Sequence, residues 1–181
     1  MDKFILSSLI EENRNQLLAG IDILGKISQE HYVYSGDSDS PWMSGIGKHF
    51  RHIIDFYDRF LDQFPLVNYD LRNRDIEIET NKDAAIIKIN YLSEALKNYE
   101  IKDISEKIDL YQGDIPFSKN EFIVNSSLGR ELRYLIEHTV HHYAIIAMFL
   151  KHMGYPVPKE FGIAQSTLDY EDSLLDSSSS N

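Results

Sequence analysis

Seven histidines occur among the 181 residues, and five of them fall in two clusters. His49 and His52 stand three apart, and His138, His141 and His142 lie within one and a half helical turns of each other. Imidazole is a common ligand of transition metals, and two histidines at i and i+4 on a helix, as His138 and His142 would be, can aim at one ion. A third from a facing helix would complete a triad. The chain has no cysteine, so it supplies no thiolate nucleophile, disulfide, zinc ribbon or iron–sulfur ligand, and any thiol in its chemistry must come from outside. Thr139 follows His138 where a His-Glu-x-x-His protease would carry glutamate. There is also no phosphate-cradling glycine loop, serine-centred elbow or dinucleotide fingerprint.

Hydrophobic spacing supplies the elements that must hold these side chains. Leu6, Leu9, Ile10, Leu17, Ile21, Leu24 and Ile27 recur at steps of three and four and predict a first helix over 3–28. Ser35 to Pro41 is dense in turn formers and predicts a loop. A second helix is expected from about Trp42 to Phe64, ended by Pro65, with Ile46, Phe50, Ile53, Tyr57, Phe60 and Phe64 as its stripe. Trp42 reads as a staple at its start. Thr80 precedes a third helix near 81–99, built on Ala85, Ile89, Leu92, Leu96 and Tyr99. Residues 105–125 alternate and turn at Gln112-Gly113-Asp114, which predicts a short hairpin or extended insertion. The fourth helix opens at Ser126 or Ser127 and closes at Gly154 and Pro156. The fold class expected is therefore all-α: a four-helix bundle with a short extended or β-hairpin insertion before the last helix. One domain spans 1–168, followed by an acidic, serine-rich tail over 169–181 that reads as disordered.

Helical phase tests which histidines face inward. At about 100° per residue, His142 lies roughly 50° from the apolar centre of the fourth helix, His138 roughly 90° and His141 roughly 150°. His141 thus shares the outer face with Arg133, Glu137 and Lys151. On the second helix His49 lies about 65° from the centre and His52 about 125°, so phase favours His49. The plainer reading of all five is that histidines at helix edges bond a carbonyl or carboxylate.

Charge narrows the partners. Twenty-nine acidic and 18 basic side chains leave a net of −11, with no basic stripe, which argues against nucleic acid and anionic lipid. The N-terminus has no basic region followed by a long apolar run, and no segment approaches the roughly 18 apolar residues of a membrane span. A cytoplasmic chain is expected, and a bundle with an apolar edge allows a homodimer.

The second helix, from Ile46 through His49 and His52 to Asp55, resembles the second helix of the DinB/YfiT-like superfamily of metalloenzymes. The run from His138 to Ile146 resembles that family's His-x-x-x-His helix. Gly129-Arg130-Glu131-Leu132 and Phe161-Gly162-Ile163-Ala164 are also similar to a subgroup. The resemblance covers nearly the whole chain and implies a bundle whose divalent metal is held by three histidines: His52, His138 and His142. His52 is selected because the family's ligand precedes an apolar pair and an acidic or polar residue; His49 remains the alternative ligand.

Three neutral imidazoles leave the charge of a divalent ion uncompensated and leave coordination positions open, as catalytic sites do. Zinc, nickel, iron or manganese would all suit them. An ion so held could activate water or a thiol and polarise a carbonyl. The resemblance includes thiol-dependent transferases, using a low-molecular-weight thiol, and metal-dependent hydrolases, so a small-molecule substrate is implied. Glu131 and Asp55 are candidates for orienting the ligands, and Arg130 for meeting an anionic substrate group; the ordinary alternative for all three is a solvated helix face or a surface salt bridge. Tyr143 reads as core. Phe161 to Thr167, small and apolar, would cover the metal cleft. The competing class is a non-catalytic helical interaction protein, a homodimer with structural or vestigial histidines and with Phe56 and Tyr57 on its partner surface.

Overall fold

A computed structural model describes residues 2–34, 45–112 and 122–178. The loop expected over Ser35 to Pro41, the Trp42 staple and the turn residues Gly113 and Asp114 lie outside them. The described chain is mostly helical with a small sheet. Its four long helices are α1 (Asp2–Lys26), α3 (Ile46–Gln63), α5 (Lys82–Leu96) and α6 (Leu128–His152). Two five-residue helices, α2 (Gln29–Val33) and α4 (Ile76–Thr80), sit between them, and a 3₁₀ turn, Lys97–Tyr99, extends α5. A last helix, α7 (Gln165–Ser178), carries regular structure into the acidic tail that the sequence reads as disordered.

Helices α5 and α6 end where their local chemistry dictates. Asn81 caps α5 by accepting hydrogen bonds from the backbone N–H groups of Asp83 and Ala84, satisfying donors that have no partner inside the helix. Ser127 does the same for α6 through Arg130 N–H. At the other end of α6, Gly154 takes φ +79°, a conformation that costs glycine little, and Tyr155 N–H returns to Leu150 O at 2.9 Å. The chain thereby leaves the helix with its last carbonyls bonded.

Helices α1 and α3 each pack against both α5 and α6. The shared interior holds Leu6, Ile10 and Leu17 of α1, Phe50, Ile53 and Tyr57 of α3, Ile89 and Leu92 of α5, and Leu132, Leu135 and Ile146 of α6, all effectively excluded from water. One polar set crosses this core: Tyr57 Oη donates to Asn13 Oδ1 at 2.8 Å and Asn13 Nδ2 donates to Leu132 O at 3.0 Å. The groups satisfy one another, which is what makes their burial tolerable. Gly20 lets α1 approach Tyr143 of α6, because a Cβ there would run into the phenol oxygen. Tyr143 is core, as the sequence reading has it; it is fully buried and donates to Gln16 O at 2.9 Å.

The insertion before α6 is a hairpin of β2 (Lys107–Gln112) and β3 (Phe122–Ser127), antiparallel with Leu110 opposite Val124. A two-residue strand, β1 (Leu66–Val67), adds to β2 in parallel. Too short to show alternation, β1 leaves no sequence signal. The Phe161 ring stacks on Tyr143 with centroids 4.4 Å apart, and Gly162 lies against the backbone of Ala144. Phe161 and Gly162, at the start of the segment expected to cover the histidine cleft, therefore lie instead on the flank of α6 beside Tyr143. Among the described residues, no helix is long and apolar enough to cross a membrane.

Candidate metal centre

Helix α3 delivers His52 and α6 delivers His138 and His142 to one place. One ring nitrogen from each of the three lies within 4.8 Å of the others, close enough for a single small cation to be shared. The ring centroids are 4.5 Å apart for His52 and His142, 4.6 Å for His138 and His142, and 5.0 Å for His52 and His138. All three side chains are half-buried, while His141 is exposed, in keeping with the phase of α6. His49, which phase favoured, is not in the converging set. It stands behind His142, Nδ1 to Nδ1 at 2.9 Å.

Burial lowers the proton affinity of all three rings, and neighbouring positive charge lowers it further: other histidines of the cluster act on His52 and His142, and His141 and Arg72 act on His138. His52 is pushed down to about 3, with Arg72 and Arg51 contributing; His138 to about 4; His142 to about 2. At neutral pH the set is three uncharged imidazoles, the state in which nitrogen lone pairs can ligate. His138 Nε2 is buried and has no hydrogen-bond partner among the described residues. A buried polar atom left unbonded in a cluster of imidazoles fits a metal ligand waiting for its ion, and a site of three neutral nitrogen donors fits a divalent transition metal.

Aromatic rings hold the set in place. Phe56, one turn beyond His52 on α3, stacks on His138 at 4.0 Å and on Tyr69 at 4.9 Å. Tyr134, one turn before His138 on α6, has its centroid 5.6 Å from it. Phe56 is buried against these rings, rather than exposed on a partner surface; Tyr57 is likewise buried. Phe56 and Tyr134 also line a cleft of about 250 Å³ next to the histidines, together with Tyr69, Leu110, Arg130 and Glu131.

The carboxylates nominated to orient the ligands have other partners. Glu131, only 3% exposed, accepts hydrogen bonds from Tyr69 Oη at 3.0 Å and from Ser126 Oγ. Asp55 accepts from Arg51 Nη1 at 2.9 Å, yet its carboxyl is held above the usual range because burial outweighs the neighbouring guanidinium groups. Arg51 also donates through Nε to Glu79 at 2.8 Å, tying α3 to α4. Arg130 lies over the Tyr134 ring at 5.6 Å, at the wall of the cleft and within reach of a ligand there.

One residue escaped the sequence reading. Arg72, in the connection between β1 and α4, places Nη1 3.3 Å from His52 Nδ1 and lies over the Phe56 ring at 5.3 Å. Its Nε is buried without a partner among the described residues. Nothing in a polar connection with no periodicity marks such a residue in advance.

The family model described as "DinB family" matches residues 4–168. A protein of Rhizopus delemar named "FK506-binding protein 5" is 31% identical to this chain over 105 residues, covering 58% of this chain and 27% of the relative. The alignment thus spans about a quarter of that curated relative. No solved structure matches.

Proposed function

The chain belongs to the DinB family, and from that premise we propose that it is a divalent-metal-dependent enzyme whose ligands are His52, His138 and His142. The observation that carries the reading is the convergence of three neutral ring nitrogens within 4.8 Å beside an aromatic cleft. We read the four long helices as the four-helix bundle of that family, with the site between α3 and α6.

A divalent ion held there would supply Lewis-acid chemistry, making water or a small thiol a nucleophile near neutral pH. The chain's own residues do the rest. Three uncharged ligands leave the ion's charge for substrate and nucleophile. Phe56, Tyr69 and Tyr134 offer flat apolar walls to a small molecule and keep water from one side of the histidines. Arg130 meets an anionic group at the cleft wall. With no cysteine in the chain, a transferred thiol would be a diffusible co-substrate; with water in its place the reaction is a hydrolysis.

Elemental analysis of the chain and of His138→Ala, both dialysed without chelator, tests the reading. About one metal per chain, lost in the variant, supports it and names the ion. No metal in either after addition of zinc, nickel and manganese overturns it in favour of a helical interaction protein.

A further inference from the structure

The fourth inward histidine has a separate task. His49 is 7% exposed, its Nδ1 stands 2.9 Å from His142 Nδ1, and the Phe149 ring packs against it with centroids 6.2 Å apart. Two ring nitrogens at this distance share one proton, one donating and the other accepting. An imidazole that ligates through one nitrogen carries its proton on the other, and an acceptor for that proton fixes both tautomer and ring plane. Nδ1 of His142 is already engaged with His49, so Nε2 is the nitrogen left for an ion.

Resting on the three-histidine reading above, we infer that His49 is the positioning residue of the centre: its Nδ1 accepts the Nδ1 proton of His142 and leaves His142 Nε2 unprotonated toward the metal. Helix α3 thereby supplies one ligand, His52, and one turn earlier the support for a ligand on α6. Asp55 and Glu131 do not compete for this role, being bonded to Arg51 and to Tyr69 and Ser126. A carboxylate behind a ligand histidine raises its basicity. An imidazole in that place adds no negative charge, so the ion would keep more of its Lewis acidity.

The test is zinc affinity, by competition with a chromophoric chelator, for the full chain, His49→Leu, His49→Asn and His138→Ala. Leucine removes the acceptor, whereas asparagine places Oδ1 near the position of Nδ1. His49→Leu is expected to bind zinc about 10- to 100-fold more weakly, with His49→Asn recovering most of the loss. In the unsubstituted chain loaded with cadmium-113 and ¹⁵N-histidine, His142 should show metal coupling at Nε2 and a proton at Nδ1. Unchanged affinity in His49→Leu, with zinc lost from His138→Ala, overturns the positioning role and leaves the metal reading intact. Metal coupling at a nitrogen of His49, or at His142 Nδ1, also overturns it, and needs no variant to fold. An unsubstituted chain that binds neither ion defeats the metal reading and this inference with it.

Discussion

The ring of Phe56 lies 4.0 Å from that of His138, centroid to centroid, with 25° between their planes. A ring clamped in this way cannot swing out to solvent, so His138 is held near the orientation that the proposed metal site requires. Phe56→Leu keeps apolar volume but loses the flat face. One aromatic pairing contributes about 0.5–1.5 kcal/mol, so zinc affinity should fall roughly two- to tenfold. Isothermal titration would show it; an unchanged affinity would mean that the stack is incidental to the site.

Acid should destabilise the metal-free protein in a window set by the histidines. In the folded chain His52, His138 and His142 take up protons only near 3, 4 and 2, whereas in the unfolded chain they do so near 6.5. Between those values the unfolded state binds more protons, so stability is fully present above about pH 6.5 and declines as pH falls toward 4. Thermal unfolding at pH 7.5, 6.5 and 5.5 should give a falling Tm. The same series on a variant with all three changed to glutamine should be flatter, and a wild-type curve flat over this range would contradict the shifts.

Two glycines of α1 should respond to alanine with opposite signs. A Cβ at Gly25 meets nothing within 4 Å, so Gly25→Ala should stabilise by about 0.5–1 kcal/mol through helix propensity. At Gly20 the new carbon runs into the phenol of Tyr143, which donates to Gln16 O. Gly20→Ala should therefore destabilise despite the same propensity gain, by about 1–3 kcal/mol as overpacking does. Urea midpoints of the pair decide; a stabilised Gly20→Ala would show that α1 and α6 separate easily.

Arg51 and Asp55 form a buried ion pair on α3, their side chains 9% and 5% exposed. Removing one partner strands the other charge, at a cost of about 3–5 kcal/mol. Arg51→Met should approach that loss, and Arg51→Met with Asp55→Leu should recover much of it. Chemical denaturation of both variants provides the comparison; equal losses in the two would place the pair's value in Glu79, the other partner of Arg51.

Long elements and the phase of α6 were readable in the sequence because a long helix packed on one side obeys its own periodicity. The ends at Ser127 and Gly154 came from cap chemistry, and His141 faces out as its angle demands. Helix α3 defeats the same arithmetic. It packs against α5 and α6, and the five-residue α4 covers it as well, burying Arg51 and Asp55 on what looks like a polar face. Its apolar centre is therefore no guide to the cleft, and phase picks His49 where the geometry groups His52 with the α6 pair. Resemblance to the family motif pointed to His52 because a motif records position along the chain and not distance from an apolar stripe. Arg72 and β1 stayed hidden for a simpler reason: contacts made by short irregular segments are fixed by the rest of the fold.

The junction of β3 and α6 acts as an indexing stop. Leu128 N–H bonds Glu106 O at 2.9 Å and Gly129 N–H bonds Ile104 O at 2.9 Å, so the first turn of α6 is pinned to the turn that leads into β2. Ten residues further on, that anchorage dictates the angle at which His138 emerges. A single residue inserted between Gly129 and His138 would turn both α6 histidines by about 100° away from His52, while leaving the helix itself intact. Spacing along this stretch is thus a dimension of the proposed metal centre, as much as the identity of its histidines.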